Sequence, residues 1–331
     1  MKPTACKILV TGGAGFIGSN FIHYLLQHHP DWQIVNLDKL TYAGNLENLA
    51  ELNDDPRYTF VHGDIADRNL VKSLFEEQKF DMVAHLAAES HVDRSILDAS
   101  PFIETNIKGT EIILELAAKK KKKILITSSS EVYGKSNKVP FREDDDIVLG
   151  PTIRARWSYA CSKAIDEFLA LAYYRERKLP VIICRLFNTV GPRQTGAYGM
   201  VIPRLVRQAL KNEPITVYGD GSQTRTFTDV HEVVWALRHA VLETSAEGEV
   251  FNIGGTEEIS ILNLAKMVKS LTESDSEIKF IPFDEAYDKN FEDMGRRAPD
   301  IEKARRIIGF NPQCRMEDIL RKIIHHIKNN S

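Results

Sequence analysis

The sequence predicts an α/β fold with a doubly wound parallel sheet and a smaller C-terminal α/β lobe. Three observations support this prediction. Strands alternate with helices through the first half, a glycine-rich turn follows the first strand, and the alternation becomes irregular after Gly191-Pro192. Regular alternation implies right-handed crossovers, parallel strands and helices on both faces of one sheet. A chain of 331 residues, 43% of them hydrophobic, is long enough to build both parts.

The predicted strands are short apolar runs bounded by turn residues, and the predicted helices carry apolar residues at helical spacing. Strands are expected at 7–11, 33–38, 58–63, 82–87, 124–128, 181–187, 216–218 and 250–253, and helices at 101–119, 159–177 and 203–211. We therefore expect a sheet domain over residues 1–187, with contributions from about 226–256, and an interleaved smaller lobe over residues 188–331.

Charge and cysteine content narrow the class of partners. The formal net charge of -3 gives no electrostatic reason to expect nucleic acid or an anionic membrane, so small molecules are the expected partners. The four cysteines, Cys6, Cys161, Cys184 and Cys314, lack paired spacing, which indicates neither a metal site nor a disulfide framework. No signal peptide or membrane-spanning run is recognised, and we expect a cytoplasmic location.

A glycine-rich turn lies between the first strand and the first helix. Gly12 permits a tight turn, Gly15 lets the backbone approach a pyrophosphate, and Gly18 allows close packing of helix and strand. Asp38 ends the second strand, where its carboxylate can bind ribose hydroxyls and repel a 2'-phosphate. The pattern predicts a Rossmann-type site for NAD in preference to NADP. Asp64, after the third strand, either contacts the adenine or caps the next helix.

A hydroxyl-rich stretch over residues 127–134 follows the fifth predicted strand. Ligands bind beyond the carboxyl ends of parallel strands, so Ser129, Ser130 and Glu131 are candidates for a reaction centre. Taken alone, the stretch is better explained as a serine-rich turn that caps the next element. The functional interpretation therefore depends on a cofactor site and a base elsewhere in the chain.

Tyr159 and Lys163 are four residues apart on a predicted helix, so both lie on one face. An unperturbed tyrosine has a pKa near ~10, and the ammonium together with a positive nicotinamide is expected to lower it. Tyr159 is then a usable base for a substrate hydroxyl during hydride transfer. An exposed helix face is the usual explanation of such a pair, but here the pair follows a dinucleotide-binding pattern.

Together these motifs resemble the extended short-chain dehydrogenase/reductase superfamily acting on nucleotide sugars. The resemblance covers essentially the whole chain and rests on the glycine-rich turn, Asp38, the Tyr159 and Lys163 pair, and residues 185–188. It implies NAD as cofactor and a nucleotide-diphosphate sugar, bound by the smaller lobe, as substrate.

The closer resemblances within the superfamily are mixed. Segments 40–45 and 85–95 resemble dTDP-glucose 4,6-dehydratases, although Ser130 stands where those enzymes carry Asp. The Ser130-Glu131 pair resembles GDP-mannose 4,6-dehydratases and also UDP-glucuronate decarboxylases. The decarboxylases are similar at three further segments, 187–193, 218–225 and 297–301.

The resemblance implies that the 4-hydroxyl of the sugar is oxidised first, which acidifies carbon 5. Glu131 is then expected to remove the carbon 5 proton, and the acid for the 6-hydroxyl is either Glu131 again or a water held by Ser129 and Ser130. We favour a 4,6-dehydratase of a UDP- or dTDP-hexose, with UDP-GlcNAc among the candidates. A UDP-glucuronate decarboxylase, in which Arg296 or Arg297 orients the carboxylate, stays open, as do a 4-epimerase and a dinucleotide-sensing regulator. The resemblance to the dehydratases implies instead that these two arginines bind the nucleotide diphosphate.

The predicted site residues fall into three groups. The catalytic group is Tyr159, Lys163, Glu131, Ser130 and Ser129. The cofactor-binding group is Gly12, Gly15, Phe16, Ile17, Gly18, Asp38, Asp64, Ile65, Ala87 and Lys163. The substrate-binding group is Ser90, His91, Arg94, Asn188, Arg225 and Arg297, and no metal is expected. In the superfamily, the helices near 101–119 and 158–177 pair across a two-fold axis, so a homodimer is expected.

Overall fold

The computed structural model describes residues 5–90, 98–153, 157–195, 200–286 and 296–329. The strands are β1 (Cys6–Thr11), β2 (Trp32–Asp38), β3 (Tyr58–His62), β4 (Met82–His85), β5 (Lys123–Ser129), β6 (Val181–Leu186), β7 (Thr189–Val190), β8 (Ile215–Tyr218), β9 (Thr224–Thr226), β10 (Thr228–Asp229), β11 (Val250–Ile253), β12 (Glu258–Ser260), β13 (Ile278–Ile281) and β14 (Arg296–Arg297). The helices are α1 (Phe16–His28), α2 (Arg68–Glu77), α3 (Ser100–Phe102), α4 (Thr110–Lys120), α5 (Trp157–Arg177), α6 (Val201–Leu210), α7 (Val230–Leu242), α8 (Ile261–Thr272), α9 (Phe283–Ala286), α10 (Glu302–Ile308) and α11 (Met316–Asn329). A π-helical stretch, Ile103–Gly109, joins α3 to α4, and short 3-10 helices lie at Leu46–Leu52, Ser130–Tyr133 and Thr244–Ala246.

Seven strands form the central sheet, in the order β11, β6, β5, β4, β1, β2, β3. Every neighbouring pair in this sheet is parallel. The chain builds outward from β1 to β3, then returns to β4 on the other side of β1, which makes a topological switch point between β1 and β4. Ligands of doubly wound sheets bind in the crevice at such a point. The predicted fold class is confirmed.

Helices cover both faces of the sheet, so the strands are apolar on both sides. In β1, Ile8 belongs to the core under α1 and α7, whereas Leu9 belongs to the core under α2, α4 and α5. Both residues are fully buried. The helix α2 begins after Asp67, whose carboxylate accepts hydrogen bonds from the backbone of Asn69 and Leu70 at 3.0 and 3.1 Å.

The C-terminal part of the chain builds a second apolar core. Helices α6, α8 and α11 pack there around the parallel pair β8 and β13. The chain also returns to the main sheet, because β11 pairs with β6. The division between the two predicted domains at residues 187 and 188 stays a prediction.

Three further observations bear on the expected environment. None of the helices in the described ranges combines the length and apolar composition that crossing a bilayer requires. The four cysteines are free thiols. Within the described part of the chain, no cluster of His, Cys, Asp or Glu side chains has the arrangement of a metal site.

Candidate active site

A cavity of about 490 Å³ opens beyond the carboxyl ends of β1, β2, β4 and β5, and the C-terminal lobe closes its far side. It brings together most of the predicted site residues: Gly12, Gly15, Phe16, Ile17, Gly18, Asp38, Asp64, Ile65, Ala87, Ser90, Ser129, Ser130, Glu131, Tyr159, Lys163, Asn188 and Arg297. Arg225 does not line it. The other two predicted substrate residues, His91 and Arg94, lie outside the described residues.

The glycine-rich turn forms one end of the cavity, before the first turn of α1. Gly12 has a φ of +72°, and a Cβ there would lie 2.6 Å from the Ala87 backbone. A Cβ on Gly18 would lie 2.2 Å from the carbonyl oxygen of Gly12. At Gly15 the nearest atoms to a Cβ are backbone oxygens at 3.3 and 4.0 Å, so packing alone does not require glycine. The open space beside Gly15 belongs to the cavity and fits a pyrophosphate at the helix N-terminus.

Asp38 lies beside this turn, at the end of β2. Its two carboxylate oxygens accept hydrogen bonds from the backbone of Ala14 at 2.9 Å and Leu40 at 2.8 Å. These bonds fix the carboxylate while leaving lone pairs for ribose hydroxyls. Burial raises the pKa of Asp38.

Asp64 also lines this end of the cavity, where it forms an ion pair of 2.6 Å with Lys39. The alternative role predicted for it, a cap for the next helix, belongs to Asp67 instead. The position therefore leaves Asp64 available for contact with a ligand.

Tyr159 and Lys163 lie on the first turns of α5 and are both buried. Lys163 Nζ contacts Asp166 Oδ2 at 2.7 Å, so the ammonium is already paired with a carboxylate one turn further along the helix. Burial raises the pKa of Tyr159, and a hydrogen bond from Ser129 opposes that shift only in part. The predicted lowering of this pKa assumes a bound nicotinamide beside the phenol and stays a prediction. In the protein alone, burial dominates, and the Asp166 carboxylate that pairs with Lys163 raises the pKa of Tyr159 further.

Glu131 and Arg297 form the polar wall opposite Tyr159. Arg297 Nη1 lies 2.8 Å from Glu131 Oε1 and 3.4 Å from the Ser130 hydroxyl. Both charged side chains are about 10% exposed. Ser129 accepts a hydrogen bond of 3.2 Å from the Glu131 backbone, which starts the 3-10 helix and turns its carboxylate into the cavity. The serine-rich turn is therefore present, and its residues line the cavity.

Buried polar residues that the sequence analysis missed hold the backbone around Glu89 and Tyr159 in place beside the cavity. Asn106 accepts from the Glu89 backbone amide at 2.8 Å and donates to the Glu89 carbonyl at 3.0 Å and to the Ser162 hydroxyl at 2.9 Å. Ser162 in turn donates to the Tyr159 carbonyl at 2.8 Å. These bonds tie the loop after β4 to α5, and only the fold brings the four residues together.

A second missed residue, His85, lies at the end of β4. Its ring nitrogens contact the hydroxyls of Thr11 at 2.7 Å and Thr110 at 3.0 Å. Burial and the nearby charge of Lys163 lower the pKa of His85 to about 3, so the ring is neutral. His85 therefore holds the carboxyl ends of β1 and β4 in place without adding charge to the cavity.

The C-terminal lobe forms the end of the cavity where Asn188, Thr189 and Gln194 lie. Asn188, with a φ of +21°, donates to the Thr226 carbonyl at 2.8 Å. Thr189 Oγ1 and Gln194 Oε1 are buried without a hydrogen-bond partner in the described part of the chain, and both residues line the cavity. These two residues, which no motif marks, offer polar atoms to a ligand. Arg225 lies beside Arg297 in the β9–β14 pair and donates to the Thr224 carbonyl at 2.7 Å.

Comparison with known proteins shows the family. The family described as GDP-mannose 4,6 dehydratase matches residues 9–323. The chain belongs to this family. It is 40% identical over 320 residues to a UDP-N-acetyl-alpha-D-glucosaminuronate decarboxylase of Bacillus cytotoxicus, covering 96% of each chain. It is 39% identical over 346 residues to a dTDP-glucose 4,6-dehydratase of Neisseria gonorrhoeae, covering 98% of this chain and 96% of the relative.

Solved structures agree with this assignment. The dTDP-glucose 4,6-dehydratase DesIV of Streptomyces venezuelae, solved with NAD and TYD, superposes with a TM-score of 0.87 at 34% identity and covers 98% of this chain and 97% of its own. A UDP-glucuronic acid 4-epimerase of Bacillus cereus, solved with UDP-glucuronic acid and NAD, gives 0.86 at 31% identity, covering 98% and 100%. The predicted superfamily is confirmed, and the chain is an enzyme of the nucleotide-sugar dehydratase and decarboxylase type.

Proposed function

We propose that this chain is an NAD-dependent nucleotide-sugar 4,6-dehydratase. One observation carries the proposal: the Glu131 carboxylate is buried beside Tyr159 and Lys163 in the cavity that also contains the glycine-rich turn. A 4-epimerase needs the tyrosine but has no use for a carboxylate that takes a carbon 5 proton. A regulator that only senses dinucleotide needs neither group. The relatives that are 4,6-dehydratases support the same conclusion.

Oxidation at carbon 4 falls to Tyr159. Its hydroxyl is hydrogen-bonded to Ser129, so a sugar hydroxyl at this point is within reach of both groups. Lys163 is paired with Asp166, and its remaining donors would hold the ribose of NAD near the phenol. When bound, NAD would supply the acceptor for the hydride from carbon 4 and its return at carbon 6, and a proton from water would be added at carbon 5. The Gly15 cradle and Asp38 would hold its pyrophosphate and adenine ribose.

Elimination of water across carbons 5 and 6 falls to Glu131. The guanidinium of Arg297, 2.8 Å away, stabilises the negative charge with which Glu131 accepts the carbon 5 proton. The acid for the departing 6-hydroxyl is either Glu131, which returns the same proton, or a water held by Ser129 and Ser130. A substrate carboxylate would place a second negative charge beside Glu131, which favours a neutral hexose as substrate.

Decarboxylation of a nucleotide hexuronate is the second candidate function. Arg297 Nε is buried and has no hydrogen-bond partner within the described residues. That donor is free to bind a carboxylate at carbon 6 while Nη1 keeps its contact with Glu131. The decarboxylase from Bacillus cytotoxicus, at 40% identity, gives this alternative independent support.

We propose that the substrate is a UDP- or dTDP-hexose held between the two lobes. Ser90 and Asn188 line the sugar end of the cavity, and Arg297 reaches it from β14. Arg225 lies next to Arg297 but does not line the cavity, so its role in substrate binding stays a prediction, as do the roles of His91 and Arg94. The interleaved smaller lobe, residues 188–331, would bind the nucleotide.

We also propose that the enzyme is a homodimer that works in the reducing cytoplasm. Ile103, Ile165 and Phe168, on the π-helical stretch and α5, are 56%, 40% and 65% exposed, which is unusual for large apolar side chains grouped on neighbouring helices. A second copy of the same surface would cover them. Light scattering at micromolar concentration should give twice the chain mass, and Phe168→Glu should shift it to the monomer mass. A monomer in the unaltered protein would refute the dimer.

The reaction is tested by incubating the enzyme and NAD with UDP-, dTDP- and GDP-hexoses, UDP-GlcNAc, UDP-glucuronate and UDP-N-acetylglucosaminuronate, followed by mass spectrometry. The dehydratase predicts loss of water from a hexose, whereas the decarboxylase predicts loss of carbon dioxide from one of the two hexuronates alone. A product of unchanged mass with altered stereochemistry at carbon 4 would contradict both. Tyr159→Phe is the control that should abolish every change of mass.

A further inference from the structure

Arg193 is a cationic residue of the cavity to which the sequence motifs give no role. It follows Gly191-Pro192, at the entry to the C-terminal lobe, and lines the cavity together with Gly15, Phe16 and Ile17. Its side chain is half-buried, and burial lowers its pKa. Its own backbone is left-handed, with a φ of +71°, so the main chain turns sharply here to bring the guanidinium to α1.

Two elements fix Arg193 from opposite sides. Its Nη1 donates to Asn20 Oδ1 on α1 at 3.0 Å, and the Asn20 amide donates to the carbonyls of Phe16 and Pro192 at 2.8 and 3.1 Å. The guanidinium therefore lies against the first turn of α1. On the other side, the Arg193 backbone amide donates to His326 Nε2 on α11 at 3.1 Å.

Arg193 differs in its charge balance from the other cations of the cavity. Within the described ranges, no carboxylate lies at ion-pair distance from Arg193, although three other cations that line the cavity each contact one. These ion pairs are Lys39–Asp64 at 2.6 Å, Lys163–Asp166 at 2.7 Å and Arg297–Glu131 at 2.8 Å. The first turn of α1 has no acidic residue and no side-chain cap, so its amides also lack a negative partner.

We propose that Arg193 binds the pyrophosphate of NAD and that His326 positions it for this contact. A pyrophosphate beside Gly15 meets the α1 amides on one side and a planar guanidinium on the other, which suits bidentate binding of phosphate oxygens. The C-terminal helix α11 thereby contributes to the affinity for NAD through one hydrogen bond. The inference rests on NAD as cofactor and holds for dehydration and decarboxylation alike.

Binding measurements without any sugar test the arginine. Apoenzyme is titrated calorimetrically with NAD, ADP-ribose and adenosine. Arg193→Gln should weaken NAD and ADP-ribose by about ten- to a hundredfold, the loss expected for one charge-assisted hydrogen bond, and leave adenosine unchanged. Lys39→Gln removes an equal charge from the same cavity as the matched control, and should weaken NAD by less than about threefold.

Two results would overturn this part of the proposal. One is wild-type NAD affinity in Arg193→Gln, and the other is an equal loss for adenosine, which would indicate a damaged pocket. Arg193→Lys provides the check on folding, because it keeps the charge and should retain part of the affinity. Since no sugar is present, failure here leaves the outcome of the sugar panel untouched.

A pair of variants tests the positioning role of His326. Gln places an acceptor near the position of Nε2, whereas Leu has none. His326→Leu should weaken NAD severalfold with no change for adenosine, and His326→Gln should restore the affinity. Equal NAD affinity in His326→Leu and the unaltered enzyme would show that the α11 contact has no part in cofactor binding.

Discussion

Two buried arginine–glutamate pairs in this protein differ in how many of the arginine's hydrogen-bond donors have a partner. Arg185 binds both oxygens of Glu167, with nitrogen–oxygen distances from 2.7 to 3.2 Å, and also donates to the Tyr133 hydroxyl at 2.8 Å. Ser128 donates to the same Glu167 carboxylate at 2.5 Å. The hydrogen-bonding atoms of both side chains are therefore used between β6 and α5, behind the cavity, and none is left for a ligand.

In the second pair, Arg297 with Glu131, the described residues do not fully satisfy the arginine. One contact of 2.8 Å joins the two side chains, Arg297 Nε has no partner among the described residues, and both groups face the cavity. A buried charge without its full set of hydrogen bonds is costly, so such a group persists where a ligand completes it. We therefore expect Arg185 and Glu167 to contribute to stability, and we propose Arg297 and Glu131 for the chemistry.

The largest expected effect is on folding. Arg185→Met leaves the Glu167 carboxylate buried without its cation, so we expect a loss of about 3–5 kcal/mol in the free energy of unfolding. Urea denaturation measures this. A variant that kept its stability but lost turnover would reverse the assignment of the two pairs.

Arg297→Met should show the opposite pattern. Turnover should fall by about 10²–10³, because the charge that stabilises Glu131 and its reacting neighbours is removed. The free energy of unfolding should fall by less than in Arg185→Met, since water entering the cavity can solvate Glu131. Steady-state kinetics and urea denaturation of the same sample separate the two quantities, and a stability loss equal to that of Arg185→Met would contradict the comparison.

His85 adds a pH-dependent contribution to stability. Its pKa is about 3 in the folded protein and about 6.5 when unfolded, so the unfolded chain binds the proton first. The stability contribution is complete above about pH 6.5 and falls by up to about 1.4 kcal/mol per pH unit below it. Urea midpoints at about pH 7.5 and pH 5.5 should therefore differ less in His85→Gln than in the unaltered enzyme. An identical difference in both proteins would show that other groups cause the acid loss.

Much of the fold and the cofactor site could be predicted from local patterns. Apolar runs gave the strands of the sheet, and Gly12, Gly15, Gly18 and Asp38 are close enough in sequence for one motif to mark them. The spacing of Tyr159 and Lys163 could also be recognised from the sequence, because residues four apart lie on one face of a helix.

Contacts between distant segments could not be predicted in the same way. Arg297 reaches Glu131 from the far end of the chain, and Arg193 meets α1 only because the C-terminal lobe folds back. The pKa of Tyr159 depends on burial and on the partner of Lys163, neither of which a spacing reveals. These features arise from packing, which single-sequence patterns do not encode.

The smallest expected effect concerns cofactor choice. Asp38→Ala removes the carboxylate that would repel a 2'-phosphate, so the affinity for NADP should approach that for NAD. We expect the ratio of the dissociation constants for NADP and NAD to fall by about tenfold, measured by titration of both cofactors. Equal affinity for NAD and NADP in the unaltered enzyme would remove the basis of the assignment.

The division of labour between Tyr159 and Glu131 is the central claim, and one rapid-mixing experiment tests it most directly. Glu131→Gln is nearly isosteric but cannot accept a proton, so with a substrate identified in the panel it should oxidise carbon 4 and stop there. The expected result is reduced-nicotinamide absorbance that rises and persists, with a 4-keto sugar on the enzyme, while Tyr159→Phe shows no rise. Turnover of Glu131→Gln at the normal rate would contradict the account, because the base for carbon 5 would then lie elsewhere.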